Sequence, residues 1–182
     1  MKTLCLSFFI ACFLFVSPVL SRPQWTVDQA KTWYQNNNWL IGCNFIPSTA
    51  VNTLEMWQAE SYDPTTIDRE LGWAQNIGFN IIRVFLHHLV WQQDPTGFKD
   101  RLNNFLSIAA NHKIGVMFVL FDDCWNPEGK LGPQPAPIPG VHNSQWVQAP
   151  GAAEVTNTEL FPVFEAYVKD VISKKIAFFN WY

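Results

Sequence analysis

Three apolar runs each end in residues equipped for chemistry. Trp39–Phe45 carries Asn44 and leads into Ile46-Pro47-Ser48-Thr49. Phe79–Leu86 carries Arg83 and leads into His87-His88. Ile114–Phe121 leads into Asp122-Asp123-Cys124-Trp125. An amide, an imidazole and a carboxylate placed at such ends can hydrogen-bond a hydroxyl-rich ligand. Asp122 and Asp123 are adjacent, so their carboxylates point in different directions and do not form a catalytic dyad. One of them accepts from ligand hydroxyls or braces Arg83, or else caps the loop after the third run. Trp125 and Trp146, with Trp57 behind them, offer flat faces for stacking, although core packing is the ordinary fate of an indole. Arg83 lies inside an apolar strand, and a charge buried there must be paired. His87 follows it by four residues and shares its face by strand alternation, with His88 turned the other way. His87 is therefore the ligand-facing histidine, or else an exposed loop residue. No third ligand stands at a useful spacing from the pair, so no metal site is expected. A small doubly wound secreted domain with a different chemistry is a weaker reading, since no Gly-rich phosphate loop or Gly-x-Ser-x-Gly elbow supports it. No cofactor is expected.

The elements needed to position these groups can be read from periodicity. Near-continuous apolar runs are the signature of buried parallel strands, and ligand sites form at the C-terminal ends of such strands. Thr26-Val27-Asp28-Gln29 reads as a capping box that opens a helix to about Asn37. A long connection, 46–62, follows the first strand. Asp63-Pro64 opens a second helix as N-cap and N1, with Ile67, Leu71, Ala74 and Ile77 on one stripe and Gly78 as its stop. A third helix runs from about Phe98 to His112 with Leu102, Phe105, Leu106 and Ala109 inward. The Pro- and Gly-rich stretch 122–157 is a loop long enough to imply a function, and 158–175 reads as a fourth helix. Strand–helix alternation implies right-handed crossovers and a parallel sheet, an α/β fold of about three to four β/α units.

Bulk properties narrow the classes further. Residues 1–21 begin with Lys2, continue through an apolar stretch from Leu4 to Val16 and end in small residues, which is the pattern of a secretory signal peptide. That stretch is short for a membrane span. The expectation is a secreted chain, with one domain over 22–182 and no membrane association after cleavage. The formal net charge is −3 and no long basic run exists, which argues against nucleic acid as a partner. Nine Trp in a secreted chain favour a carbohydrate partner. Cys43 and Cys124 both lie near strand C-termini, so a bridge between them is open. On the first and third strands of a barrel they would stand too far apart without help from a loop, which favours two free, buried thiols.

Four segments carry a resemblance: Gly42–Glu60, Arg83–Pro95, Met117–Trp125 and Gly140–Gly151. In that order they resemble secreted glycoside hydrolases of the cellulase-like superfamily, family 5-type, often labelled endo-1,4-β-xylanase. The resemblance spans about Trp39 to Ile172. It implies the N-terminal part of a (β/α)8 TIM barrel and retaining hydrolysis of O-glycosidic bonds in β-linked polysaccharide. The chemistry would come from two Glu residues whose carboxyl groups stand ~5 Å apart. One would sit on the fourth strand in an Asn-Glu-Pro motif and the other on the seventh. Neither falls on a position of this sequence: 173–182 departs from the family pattern and contains no Glu. No catalytic residue is therefore assigned. The alternative is a non-catalytic chain with weak carbohydrate binding. By the same resemblance Arg83 would hold the nucleophile ionised, the alternative being a structural salt bridge. From their own positions at strand ends and in rim loops, Asn44, His87, Asp122, Trp125 and Trp146 are expected to contact a polysaccharide or oligosaccharide, although at Asp122 the sequence departs from the family pattern. An incomplete barrel leaves sheet edges open, so self-association through them is expected.

Overall fold

The structure, a computed structural model, describes residues 24–173. The expected signal peptide and the stretch from 174 onward lie outside the described residues. The chain divides into two units, Met1–Asn38 and Trp39–Tyr182. In the first, α1 (Val27–Asn36) starts with the capping box read from sequence. Thr26 Oγ1 accepts from the Gln29 N–H at 3.2 Å, and Gln29 Oε1 accepts from the Thr26 N–H at 2.8 Å. Trp25 and Trp33 pack at 6.3 Å, and no residue of α1 is buried.

The second unit is built on three parallel strands in the order β1 (Gly42–Asn44), β2 (Ile81–Phe85), β3 (Gly115–Val119). The fold class is α/β, as the alternation requires. Asn44, Arg83 and Met117 form one cross-strand row, and Cys43, Ile82 and Val116 form the next. Successive residues of a strand face opposite sides, so these rows belong to opposite faces. β1 is shorter than the apolar run predicts. Asn80 explains this: its Oδ1 accepts from the Ile41 N–H and its Nδ2 donates to the Trp39 carbonyl, both at 2.8 Å. A side-chain amide takes the ladder's place at the Trp39 carbonyl and the Ile41 N–H, while the Ile41 carbonyl still accepts from the backbone N–H of Asn80 at 2.9 Å.

Helices cover one face. α3 (Pro64–Asn76) begins as expected, with Asp63 accepting from the Thr66 N–H at 3.0 Å and Pro64 in its first turn. Gly78, at φ 91°, turns the chain from that helix into β2, a conformation glycine adopts without strain. α5 (Pro95–Asn111) starts three residues earlier than the pattern indicates, because Asp94 caps it through Gly97 N–H at 2.9 Å and Pro95 takes N1. Ile67, Leu71, Phe98, Leu102, Phe105 and Ala109 from these helices join Ile82, Val84 and Val116 in one buried cluster. Two short helices also occupy ground read as loop or rim: α2 (Thr53–Trp57), capped by Asn52, and α4 (His88–Gln93), capped by His87. Trp57 lies at the centre of the core. It packs edge-on to Phe98, Phe105 and Phe118, and its Nε1 donates to the Phe85 carbonyl at 2.8 Å.

Beyond β3 the chain makes a long excursion before α6 (Ala152–Val155), a 3-10 turn (Thr158–Leu160) and α7 (Phe161–Ser173). α7 returns to the core through buried Tyr167 and Val171, and the Tyr167 hydroxyl donates to the Leu120 carbonyl. Lys99 of α5 donates to both Asp170 oxygens, and Trp91 Nε1 of α4 donates to Oδ2, so Asp170 ties three helices together. Two expectations need correction. Cys43 and Cys124 are free but exposed, because the row containing Cys43 runs out to the sheet edge and Cys124 sits on the excursion. Arg83 is exposed rather than buried, because no element among the described residues lies over its row. No helix among the described residues is long and apolar enough to cross a membrane.

Candidate functional site

On the uncovered face, Arg83 Nη1 donates a long hydrogen bond, 3.5 Å, to Asn44 Oδ1 across the strand pair. The guanidinium then lies over the Phe85 ring, 4.5 Å from its centroid. Phe85 meets Trp146 edge-on at 6.1 Å, Trp146 meets Trp125 at 5.5 Å, and Trp125 meets His142 at 5.8 Å. Four residues singled out from sequence (Asn44, Arg83, Trp146 and Trp125) thus belong to one continuous run. It begins on the sheet and ends on the long excursion. Phe85 is the link that sequence reading missed. Its place two residues after Arg83 is the signal that puts it on the same face.

The excursion is pinned rather than loose. Asp122 and Ala149 exchange backbone hydrogen bonds at 2.6 and 2.7 Å, and Asn126 pairs with Trp146 and Gln148. Asn52 Nδ2 reaches across to the Gln134 side chain and the Gln145 carbonyl, both at 2.9 Å. Gln58 exchanges hydrogen bonds with the backbone of Gly132. These contacts seat the excursion on the α2 region and fix Trp146 over Phe85. Trp125 has φ 81°, which strains a residue of its size by ~1–3 kcal/mol. The residue is 42% exposed. The strained backbone projects a large ring into solvent beside Trp146.

Asp122 takes the capping role: its Oδ1 accepts from the Cys124 N–H at 3.2 Å. Donor atoms of Asp122, Asp123 and Cys124 lie within 4.8 Å of one another, the one such grouping among the described residues that could hold a metal ion. The three are consecutive and at most half-buried, a common surface arrangement.

His87 and His88 lie elsewhere. One was expected inward and the other outward, but both are enclosed, because β2 has ended at Phe85 and strand alternation no longer applies. The rings stack at 5.2 Å and 19°. His87 Nδ1 accepts from the Leu89 N–H at 3.3 Å, which leaves the proton of the neutral ring on Nε2. That Nε2 is buried without a hydrogen-bond partner, close against Gly129. Burial, reinforced by the charge of His88 and opposed by the Gln148 backbone, pushes His87 down to about 3. Burial also lowers His88, against the pull of Glu154, whose Oε2 stands 3.3 Å from Nε2 but outside hydrogen-bond geometry. The pair supports the excursion from below.

Beside Trp146 a cleft of about 370 Å³ opens between Ser48–Glu55 and Pro137–Trp146. The carboxylates around these elements are already engaged. Glu55 Oε2 accepts from the Val51 N–H at 2.6 Å, Glu70 binds the Ser48 N–H and hydroxyl, and Glu154 binds the Gly151 N–H at 2.8 Å. No protein-family model, no curated protein and no solved structure matches this chain.

Proposed function

We propose that residues 39–173 are the opening β/α units of a secreted (β/α)8 glycoside hydrolase acting on β-linked polysaccharide. In this reading the uncovered sheet face is its substrate side. The observation that carries the proposal is the run Asn44–Arg83–Phe85–Trp146–Trp125. It combines hydrogen-bonding groups on the strands with the two solvent-reaching indoles of Trp146 and Trp125, joined to them through buried Phe85, a composition suited to a chain of sugar rings. One-sided burial supports the barrel reading. All-parallel sheets are ordinarily covered on both faces, and an inner barrel face is covered only by the remaining strands. Among the described residues β1 and β3 are the outer strands of the sheet, and their outer edges are where such strands, or a second copy of the chain, would add. The secretion part of the proposal rests on residues 1–21.

The engaged states of Glu55, Glu70 and Glu154 fit the assignment of catalysis to elements other than these. Arg83 favours a second reading, carbohydrate binding without cleavage: among the described residues it meets an amide and a ring, not a carboxylate.

Tryptophan fluorescence and affinity electrophoresis with xylohexaose, cellohexaose and mannohexaose test the shared part. Saturable binding of at least one is expected, weakened at least tenfold in Trp125→Ala/Trp146→Ala. A folded protein that binds none of the three overturns the proposal. Release of reducing sugar separates its two forms.

A further inference from the structure

We infer that the cleft beside Trp146 is a side pocket for a single neutral sugar residue branching from the chain bound along the aromatic run. This rests on the reading just given and narrows it to branched substrates whose side groups are uncharged. Trp146 connects the two features. Its ring meets Phe85 and Trp125 in the run, and it also lines the cleft. A ligand lying on the run therefore has the cleft at its side.

Size limits the occupant. About 370 Å³ falls at the lower end of the ~300–1,000 Å³ occupied by small-molecule sites. That suits one ring rather than a run of several. The lining supplies matching chemistry: the Ser144 hydroxyl hydrogen, the carboxamide of Asn143, the Glu55 oxygen that does not hold Val51, and the indole of Trp146, while the Ser48 hydroxyl is already held by Glu70 and Thr49 by Asp63. Glu55 is the sole charged residue in that lining. Its carboxylate accepts hydrogen bonds from sugar hydroxyls and repels an acidic substituent, which would have to shed its hydration facing a like charge.

The walls are held in place without a ligand. Val51 N–H binds Glu55 Oε2 at 2.6 Å, Ile138 N–H binds Ser144 Oγ at 2.8 Å, and Glu70 holds the Ser48 N–H at 3.1 Å. A pocket already formed spares the ligand the cost of ordering it.

The test is affinity electrophoresis and calorimetry with xylohexaose, an arabinosyl-branched xylo-oligosaccharide and a glucuronosyl-branched one. Mannohexaose and its galactosyl-branched form run in parallel. The neutral-branched ligand is expected to bind about five- to tenfold tighter than its linear counterpart, and the glucuronosyl-branched one no tighter than linear. Val141→Trp narrows the cleft from an exposed position. It is expected to abolish the branch advantage and leave linear binding unchanged. Glu55→Gln keeps an oxygen for the Val51 N–H and is expected to relieve the discrimination against glucuronosyl. Equal binding of linear and neutral-branched ligands by the wild-type chain overturns the pocket and leaves the proposed function standing. So does tightest binding of the acidic branch. Failure to bind any ligand overturns the proposed function, and the pocket with it.

Discussion

Ile82, Val84 and Val116 are closed off by α3 and α5, whereas Asn44, Arg83 and Met117, on the opposite side of the same strands, are open to solvent. The first side has an aliphatic and aromatic cluster centred on Trp57. The second has an amide, a guanidinium and a thioether. The two sides divide the work: one supplies the burial that holds the strands together, and the other presents groups that contribute little to it. Substitutions on the two sides should therefore separate stability from ligand binding.

The largest effect is expected at Trp57. Trp57→Ala removes a fully buried indole and leaves the Phe85 carbonyl without its donor, at a cost of ~3–5 kcal/mol. Urea denaturation followed by circular dichroism should show a large drop in midpoint, or no cooperative transition at all. A drop below 1 kcal/mol would show that the covered side does not carry the fold.

Acidification comes next. Both imidazoles are held below the ordinary value of 6.5 in the folded state, His87 at about 3. As pH falls the unfolded chain takes up protons first. Stability is thus fully present above about pH 6.5 and is lost as pH falls towards 3, by at most ~1.4 kcal/mol per pH unit for each histidine. Asp63 and Asp94 are lowered by hydrogen bonds in their capping roles, so their contributions are lost at lower pH, as they protonate. Urea midpoints at pH 7, 6, 5 and 4.5 isolate the histidine window. His87→Asn should flatten the slope there. A slope unchanged by that substitution would exclude His87 as its source.

The fold was legible in sequence wherever local chemistry decided it. Asp63-Pro64, the Ile67–Leu71 stripe and the Thr26 box each fix an element without reference to distant residues. Reading failed at β1 because a distant partner intervened: the Asn80 side chain shortens it. The start of α5 was overlooked although Asp94-Pro95 is as local a signal as Asp63-Pro64. His87 was read as a strand residue, yet its backbone had already become a helix cap. At the site, Asn44 and Arg83 were legible from strand position, and Trp125 and Trp146 from their place in a Pro-rich stretch. Phe85 was hidden because one more aromatic in an apolar run looks like core. The cleft was not legible at all, since hydrogen bonds between residues more than eighty positions apart hold its two walls together.

Smaller effects sharpen the contrast. Asp170→Asn unpairs Lys99 and weakens the junction of α4, α5 and α7 by ~1–2 kcal/mol in urea denaturation. Arg83→Ala is expected to shift stability by no more than ~0.5 kcal/mol, because its side chain lies in solvent. The same change should weaken oligosaccharide binding several-fold in the fluorescence titration. A large loss of stability would place Arg83 with the structural side. Lys169→Ala removes an exposed pair with Glu165 and should cost less than ~0.5 kcal/mol, a baseline for the rest.

The cross-strand row has a further consequence. Asn44 and Arg83 stand opposite each other in the ladder, so the gap between their anchoring carbons is set by strand spacing, ~4.8 Å, and not by rotamers. The backbone acts as a fixed ruler. Exchanging either side chain changes what is offered to a ligand while the positions offering it stay put, which makes this pair a place to retune selectivity without redesigning the scaffold.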